Sequence, residues 1–121
     1  MSTGVPAYRQ IIDGILRGIA SGALQPGEQL PTVRQLAVDL SINPNTVVRA
    51  YRELEIRGVL STQQGMGTFI TNKEVKTDDG ARRQRIAQLV RDLLARAGAE
   101  GITIEELLKH LEELKDEQRR A

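Results

Sequence analysis

Apolar residues recur every three or four positions near the start of the chain, which is the spacing of one helix face. Residues 7 to 21 form the first such run, with Pro6 before it and Gly22 after it. Its apolar positions are Ile11, Ile12, Ile15, Leu16 and Ile19. Residues 22 to 31 then hold glycine and proline at the density of a loop. The pattern predicts a first helix followed by a loop.

Two further helical runs follow, with only a short turn between them. Residues 32 to 40 carry one apolar stripe behind Thr32, a residue type that caps helices. Residues 44 to 57 start again after Asn43, with Pro44 at the first helical position. Two helices joined by so short a turn indicate a helix-turn-helix, and the first helix gives the pair a third side to pack against.

A short β-hairpin is predicted directly after the third helix. Residues 59 to 63 and 68 to 71 have the composition of strands. Gly65 and Gly67 supply the positive φ angles that a tight turn needs. Because the predicted tip carries no bulky side chains, such a wing can approach a sugar-phosphate backbone or a minor groove closely.

Two more amphipathic helices are predicted beyond residue 80. The first keeps helical spacing and is expected to end at Gly98. The second starts at Thr103, which forms a capping box with Glu106. Their apolar stripes contain Ile86, Leu89, Val90, Leu93, Leu94 and Ala97 in the first helix, and Ile104, Leu107, Leu108, Leu111 and Leu114 in the second.

These elements predict a mainly α fold with a small β-hairpin. Residues 1–72 would form a winged helix-turn-helix domain, residues 73–80 a charged linker, and residues 81–121 a two-helix region. About 40 residues in two helices rarely sustain a core of their own, so this region needs a partner surface. The alternative is that both helices fold back on the winged domain of their own chain.

Composition excludes several classes of protein. The chain contains no cysteine, so it has no disulfide, thiolate metal site or thiol nucleophile, and a reducing cytoplasm fits best. No apolar run approaches the roughly 18–20 residues of a membrane span, and the first residues lack a signal-peptide pattern. The net charge is only +1, so any contact with nucleic acid has to come from individually placed residues. We expect a cytoplasmic protein with no membrane partner.

The third predicted helix carries the strongest candidate for a binding surface. Its apolar positions are expected to face the core, and the polar and cationic positions that remain are Asn45, Thr46, Arg49 and Arg52. In a major groove, Asn reads adenine, Arg reads guanine, and Thr meets phosphate or a thymine methyl group. A capped, solvated surface helix explains the same local pattern, and these residues alone do not decide between the two.

Enzymatic and metal chemistry find little support in the residues. The single histidine, His110, has no second imidazole with which to share a metal. The carboxylates of residues 112–117 are typical of a solvated helix face. Gly65 and Gly67 lead into a strand rather than a helix N-terminus, so they do not form a phosphate-binding loop. We predict no catalytic residue, no metal and no cofactor.

One long stretch carries a resemblance to a known family. LQPGEQLPTVRQLAVDLSINPNTVVRAYRELEIRGVLSTQQGMGTFI, residues 24 to 70, resembles the winged helix-turn-helix domain of GntR-family bacterial transcription regulators. With PAYRQIIDGI before it, the similarity covers about residues 6 to 71. NPNTVVRAYRELE, together with a C-terminal part of only two helices, resembles the YtrA-like branch in particular.

The resemblance implies which residues meet DNA. The third helix would enter the major groove, Arg34 would contact DNA from the second helix, and the wing would reach the minor groove at Gly65 and Gly67. In other GntR branches a basic residue often follows the residue that opens the third helix, and an arginine stands two positions past the Thr. Here these two places hold Pro44 and Val48. The expected DNA-contacting set is Arg34, Asn43, Pro44, Asn45, Thr46, Arg49, Arg52, Gly65 and Gly67.

The resemblance also supplies a partner for the C-terminal helices, namely the same two helices of a second subunit. The expected dimerisation residues are Ile86, Leu89, Val90, Leu93, Leu94, Leu107, Leu108, Leu111 and Leu114. A twofold dimer would place two recognition helices on a palindromic operator. We also hypothesise that Arg82, Arg83 and Arg85 contact flanking phosphates; an unchanged salt dependence of DNA binding after all three are replaced by Gln would remove this hypothesis.

These features predict a sequence-specific, DNA-binding transcription regulator, acting as a repressor and as a homodimer. The alternative is a protein-interaction module that uses the C-terminal helices, with the winged domain as a scaffold. About fifty residues after the wing are too few for a deep ligand pocket inside one subunit. A small effector at the dimer interface, or no effector, stays open.

Overall fold

The computed structural model describes residues 4–71 and 78–120, and the chain divides into two compact units, Met1–Lys73 and Glu74–Ala121. The first unit contains α1 (Ala7–Ser21), α2 (Val33–Leu40), α3 (Pro44–Ile56), β1 (Leu60–Gln63) and β2 (Gly67–Ile70). The second contains α4 (Asp79–Ala99) and α5 (Ile104–Arg120). The predicted fold class, mainly α with one small hairpin and two C-terminal helices, is confirmed.

The first three helices begin close to their predicted starts. α1 covers the predicted residues 7 to 21, and the carbonyl of Pro6 accepts hydrogen bonds from N–H groups of its first turn. α2 starts one residue later than predicted because Thr32 is its N-cap; the Thr32 hydroxyl accepts from the backbone N–H of Gln35 at 3.1 Å. α3 starts at Pro44 as predicted and ends one residue early.

The three helices pack around one apolar core. Ile12, Val47 and Leu54 are fully buried. Burial of each such side chain stabilises the fold by roughly 1.5–3 kcal/mol. The other buried members are Ile11, Ile15, Leu30, Ala37, Ala50, Tyr51, Leu60 and Ile70. The core therefore holds one side of α3 and leaves its other side in solvent.

The turn between α2 and α3 depends on one residue in the left-handed region. Ser41 has φ 56°, the one positive φ of a non-glycine residue in the part of the chain that the structure describes. Its N–H donates to the carbonyl of Val38 at 3.1 Å, and the N–H of Ile42 donates to the carbonyl of Ala37 at 3.0 Å. These two bonds form a Schellman motif, which ends α2 and sets the direction in which α3 begins.

The wing is an antiparallel pair in which Leu60 lies opposite Ile70 and Gln63 lies opposite Gly67. The strands were predicted at residues 59 to 63 and 68 to 71. The first strand starts one residue later than predicted, and the second strand starts and ends one residue earlier. The second strand includes Gly67 because the residue opposite it, Gln63, still belongs to the ladder.

The loop after α1 contributes a third extended segment to the wing, which the sequence did not predict. The N–H of Leu30 donates to the carbonyl of Thr68, and the N–H of Ile70 donates to the carbonyl of Glu28, each at 2.8 Å. Gln29 forms a β-bridge with Phe69. The free edge of β2 carries backbone groups that need partners, and this segment supplies them. The wing is thereby attached to the residues that precede α2.

α4 begins earlier and ends later than predicted. Asp78 is its N-cap, and a carboxylate oxygen of Asp78 accepts from the N–H of Gly80 at 3.1 Å. Residues 79 and 80 are therefore helical, and the predicted linker of residues 73–80 is two residues too long; residues 73–77 lie outside the described residues. Gly98 lies inside the helix, since the residue with left-handed φ is Gly101.

α5 starts with the predicted capping box. The backbone N–H of Glu106 donates to the Thr103 hydroxyl at 3.3 Å, and the N–H of Thr103 donates to the Glu106 carboxylate at 3.2 Å. The two reciprocal bonds satisfy donors that a helix N-terminus would leave free. None of the described helices is long and apolar enough to cross a membrane.

The apolar stripes of α4 and α5 are largely exposed. Among the described residues of this unit, Ala97 is the one buried apolar side chain. Leu94 and Leu107 are half-buried, and the exposed members are Ile86, Leu89, Val90, Leu93, Ile104, Leu108, Leu111 and Leu114. So many exposed aliphatic side chains on one pair of helices are typical of a surface that a protein partner covers.

Candidate nucleic-acid interface

The outer side of α3 presents a strip of exposed residues. Val47, Ala50, Tyr51 and Leu54 face the core. Helical geometry places the residues at i, i+4, i+7 and i+11 on one common face, which lies opposite these four. The members of this strip are Asn45, Arg49, Arg52 and Ile56, and all are exposed. Three of the four predicted polar and cationic positions, Asn45, Arg49 and Arg52, therefore lie on this face, whereas Thr46 is half-buried beside it.

The polar residues at the start of α3 have different roles: Asn43 caps the helix, and Asn45 is exposed to solvent. The Asn43 side-chain oxygen accepts from the backbone N–H of Asn45 at 2.8 Å, and the Asn43 carbonyl accepts from the N–H of Thr46 at 3.0 Å. The Asn43 oxygen is thus used to start the helix, as a capping residue requires. Pro44 is exposed but has no N–H to donate, and Thr46 is half-buried. Asn45 is exposed, and its amide is the group most available to a base edge.

Arg49 lies against α1. The carbon at the centre of its guanidinium group is 3.8 Å from the centroid of the Tyr8 ring. This distance is within the range of a cation–π contact. Tyr8 was not among the predicted site residues, because its spacing from Ile11, Ile12 and Ile15 places it on the apolar face of α1. No periodicity or motif in the sequence indicates that its ring meets a side chain of α3.

Arg52 and Arg34 lie on different elements. Arg52 borders a shallow cleft of about 310 Å³ between α2, α3 and the wing, together with Val33, Val48, Tyr51, Glu55, Thr62 and Thr68. Arg34 is exposed in the first turn of α2. Among the described residues, no carboxylate oxygen lies within 4.0 Å of the guanidinium groups of Arg34, Arg49 or Arg52. All three charges are therefore available to an anion.

The carboxylate of Glu55 is held at the wing. One of its oxygens accepts a hydrogen bond from the Thr62 hydroxyl at 2.7 Å, and the Thr62 and Thr68 hydroxyl oxygens are 3.3 Å apart. These contacts attach the C-terminal half of α3 to both wing strands. The wing and α3 thus form one continuous surface in the first unit.

The tip of the wing is built around two glycines, as predicted, but it is not free of bulk. Gly65 and Gly67 have φ angles of 79° and 127°. A Cβ at Gly67 would lie 2.5 Å from the Gln29 amide nitrogen, which donates to the carbonyl of Met66 at 3.0 Å. The expectation of a tip without bulky side chains is wrong, because Met66 stands there with 66% of its surface exposed.

The core beneath the strip contains a tyrosine with a perturbed pKa. Burial raises the pKa of Tyr51 from 10.0 to about 12. Its hydroxyl donates to the carbonyl of Pro31 at 2.7 Å, so the neutral phenol is also the form that the local structure uses. This bond fixes α3 to the residues that lead into α2.

The second unit carries the remaining predicted cations. Arg82, Arg83 and Arg85 are exposed in the first turns of α4, close to Asp79. Their role in DNA binding stays a prediction.

His110 is exposed on α5, with its nearest ring nitrogen 4.0 Å from the Glu113 carboxylate. No group of three or more residues that could hold a metal ion occurs in the described residues.

Three helices, a wing and a polar, cationic outer face on the second helix of the helix-turn-helix define a winged-helix DNA-binding protein. Residues 7–70, more than half of the chain, match the family model described as bacterial regulatory proteins, gntR family. The chain belongs to the GntR family.

Two of the similar proteins span nearly the whole chain. The chain is 34% identical over 112 residues to the HTH-type transcriptional repressor YtrA of Bacillus subtilis strain 168, which covers 93% of this chain and 86% of that protein. It is similar in structure to YtrA from Sulfolobus acidocaldarius, a GntR-family transcription factor, with a TM-score of 0.56 and 31% identity over 97% of this chain and 94% of the other. The resemblance to the YtrA-like branch is confirmed.

A third similar protein was solved in complex with DNA. The first unit resembles the DNA-binding domain of AraR solved in complex with operator ORX1, with a TM-score of 0.55 and 27% identity over 59% of this chain and 93% of that one. Together the relatives establish that the chain is a DNA-binding transcription regulator. The prediction that it is not an enzyme is also confirmed, because the relatives are named transcription regulators.

Proposed function

We propose that the protein is a homodimeric repressor that binds a palindromic operator in the bacterial cytoplasm. The observation that carries the proposal is the exposed strip of Asn45, Arg49 and Arg52 on α3, whose arginines have no carboxylate partner among the described residues. Such a strip combines an amide that can read a base with cations that can neutralise phosphates.

The proposed DNA contacts come from three elements of the first unit. Asn45 and Thr46 contact base edges from the first turn of α3, while Arg34 and Arg52 contact phosphates on either side. The wing approaches the minor groove with its tip. The complete proposed set is Arg34, Asn43, Pro44, Asn45, Thr46, Arg49, Arg52, Gly65 and Gly67. The operator complex of the AraR domain supports placing the DNA contacts in the first unit, because the first unit resembles nearly all of that domain.

The proposed dimer interface lies on α4 and α5, in residues 81–121. Its apolar residues are Ile86, Leu89, Val90, Leu93, Leu94, Leu107, Leu108, Leu111 and Leu114, of which seven are exposed in one chain. Removing apolar surface from water is favourable by about 25 cal/mol for each Å², so a second copy of the same faces would stabilise both chains. A twofold interface of this kind matches a palindromic site.

Repression is proposed from the relative in Bacillus subtilis, which is named a repressor and is similar over most of both chains. The test of the proposed function is selection of randomised duplex DNA on the purified protein. We expect an inverted repeat to be enriched, with the strongest preference at positions facing Asn45 and Thr46. Enrichment of no motif, with no binding even at low salt, would contradict the proposal.

A further inference from the structure

We propose that Tyr8 is a positioning residue for DNA binding, because its ring holds the Arg49 guanidinium at the edge of α3 that faces α1, where it binds a backbone phosphate. This inference rests on the proposed function and adds to it the residue that sets the direction of Arg49. The sequence left Arg49 as a contact to a guanine or to a phosphate, and this inference assigns it to the sugar-phosphate backbone.

The geometry of the pair fixes the cation and leaves it in solvent. The guanidinium carbon of Arg49 is 3.8 Å from the Tyr8 ring centroid. Tyr8 is half-buried and packs against the core, whereas Arg49 is exposed. The anchored member is therefore the ring. A long arginine side chain normally samples many rotamers, and a stacked contact of this kind reduces the entropy it loses when it binds a ligand.

The contact with Tyr8 does not use the hydrogen-bond donors of Arg49. The N–H groups of a guanidinium lie in its plane and point away from the central carbon, so a contact through that carbon leaves the donors at its edge available. No carboxylate among the described residues lies within 4.0 Å of them. The first turn of α1 also contains no acidic residue that would repel an anion.

The position favours a phosphate over a base. Asn45 and Arg52 stay on the outward strip of α3, but the Arg49 side chain is drawn sideways to α1. A recognition helix meets base edges with its outermost face, and the phosphates line the two rims of the groove that it occupies. A cation at the side of the helix therefore meets a rim, and a phosphate is the ligand that accepts charge-assisted hydrogen bonds from arginine in this setting.

The test is a double-mutant cycle of DNA binding. Fluorescence anisotropy over a salt series would compare the unaltered protein with Tyr8→Phe, Tyr8→Leu, Arg49→Ala and the double variant Tyr8→Leu/Arg49→Ala. Each would be measured on the selected operator and on a scrambled duplex of the same length. Arg17→Ala is the matched control, because Arg17 is also an exposed cation of the first unit but borders a groove lined by no residue of α3. Thermal melting would show that each variant is folded.

We expect loss of Arg49 or of the Tyr8 ring to weaken binding to both duplexes and to lower its salt dependence. Arg49→Ala weakens binding to both duplexes by a similar factor, about tenfold, and lowers the salt slope by about one. Tyr8→Leu weakens binding in the same way, whereas Tyr8→Phe keeps the ring and binds as the unaltered protein does. The double variant binds no more weakly than Arg49→Ala alone. Arg17→Ala leaves the salt slope unchanged.

Three results would overturn the proposal. Tyr8→Leu that binds as well as the unaltered protein would show that the ring is not needed. A further loss of DNA affinity when Tyr8→Leu is added to Arg49→Ala would show that Tyr8 acts through the fold and not through Arg49. A loss confined to the operator in Arg49→Ala would make Arg49 a base reader. If the unaltered protein bound neither duplex, the proposed function itself would fail, and this outcome is distinct from the other three.

Discussion

The hydroxyl of Tyr51 donates a hydrogen bond to the backbone carbonyl of Pro31 across 2.7 Å, and this bond joins the recognition helix to the residue that precedes the cap of α2. Tyr51 is 3% exposed, so its polar atom has to be satisfied inside the protein. The relative placement of the two helices that define the DNA-binding motif thus depends in part on one side chain.

Tyr51→Phe should lower the free energy of unfolding by about 1 kcal/mol, because the carbonyl of Pro31 loses its donor while the ring still fills the core. Urea unfolding at neutral pH would measure the change. Tyr8→Phe is the matched control, since the Tyr8 hydroxyl makes no hydrogen bond within the described residues. Equal effects of the two substitutions would contradict the structural role assigned to the Tyr51 hydroxyl.

The same residue should produce a difference in stability at alkaline pH. Burial raises the pKa of Tyr51 to about 12 from an ordinary value of 10.0, so the unfolded chain releases the proton first. The stability that depends on the protonated Tyr51 hydroxyl is complete below pH 10 and is lost as the pH rises from 10 toward 12. Across this window the unaltered protein should lose roughly 2–3 kcal/mol more than Tyr51→Phe, in which this group is absent. Parallel pH dependences of the two proteins would show that the phenol is not perturbed.

The turn of the helix-turn-helix can be stabilised by a single substitution. Ser41 adopts φ 56°, a conformation that is unfavourable for a residue with a Cβ and ordinary for glycine. Ser41→Gly should therefore raise the free energy of unfolding by roughly 0.5–1 kcal/mol, after allowance for the greater freedom of glycine in the unfolded chain. Ser41→Val should lower it. Chemical denaturation of both variants is the measurement, and destabilisation by glycine would rule out strain at this turn.

Two asparagines at the start of α3 should have separable effects. Asn43→Ala removes the N-cap and should cost about 1 kcal/mol of stability. Asn45→Ala should leave stability within about 0.5 kcal/mol, but should weaken operator binding by about 1–3 kcal/mol and relax the preference at one base pair. Unfolding and operator titrations on the same two proteins would test both statements. A loss of stability without a loss of specificity in Asn45→Ala would exclude it as a base reader.

The dimer interface can be tested with a matched pair of exposed residues. Leu89 on α4 is 69% exposed and Val38 on α2 is 68% exposed in a single chain. Leu89→Glu should dissociate the proposed dimer, because it places a charge in an apolar interface, whereas Val38→Glu should not. Sedimentation velocity would report the change in mass. A monomeric unaltered protein would contradict the proposed dimer. Dissociation by Val38→Glu but not by Leu89→Glu would place the interface outside α4 and α5.

Local signals predicted most of the helices. The N-caps at Thr32 and Asn43, the proline at position 44 and the capping box of Thr103 with Glu106 each depend on residues close together in the sequence, and the structure contains all of them. The outward strip of α3 followed from its helical period in the same way.

Features that depend on distant residues were missed. The pairing of Gln29 with Phe69 and the stacking of Arg49 on Tyr8 join parts of the chain that no local pattern connects. Glycine and proline after α1 indicated a loop, although backbone pairing with β2 makes part of it extended. Ser41 was missed for another reason, because serine rarely occupies the left-handed region and gives no signal there.

The number of chains bound to one operator tests directly whether the protein reads a palindrome as a dimer. Sedimentation equilibrium would compare the selected inverted repeat with a duplex in which one half-site is scrambled. We expect two chains on each intact duplex and a much weaker complex when either half-site is lost. One chain on each duplex, with the same affinity for both DNAs, would contradict a dimer that reads a palindrome.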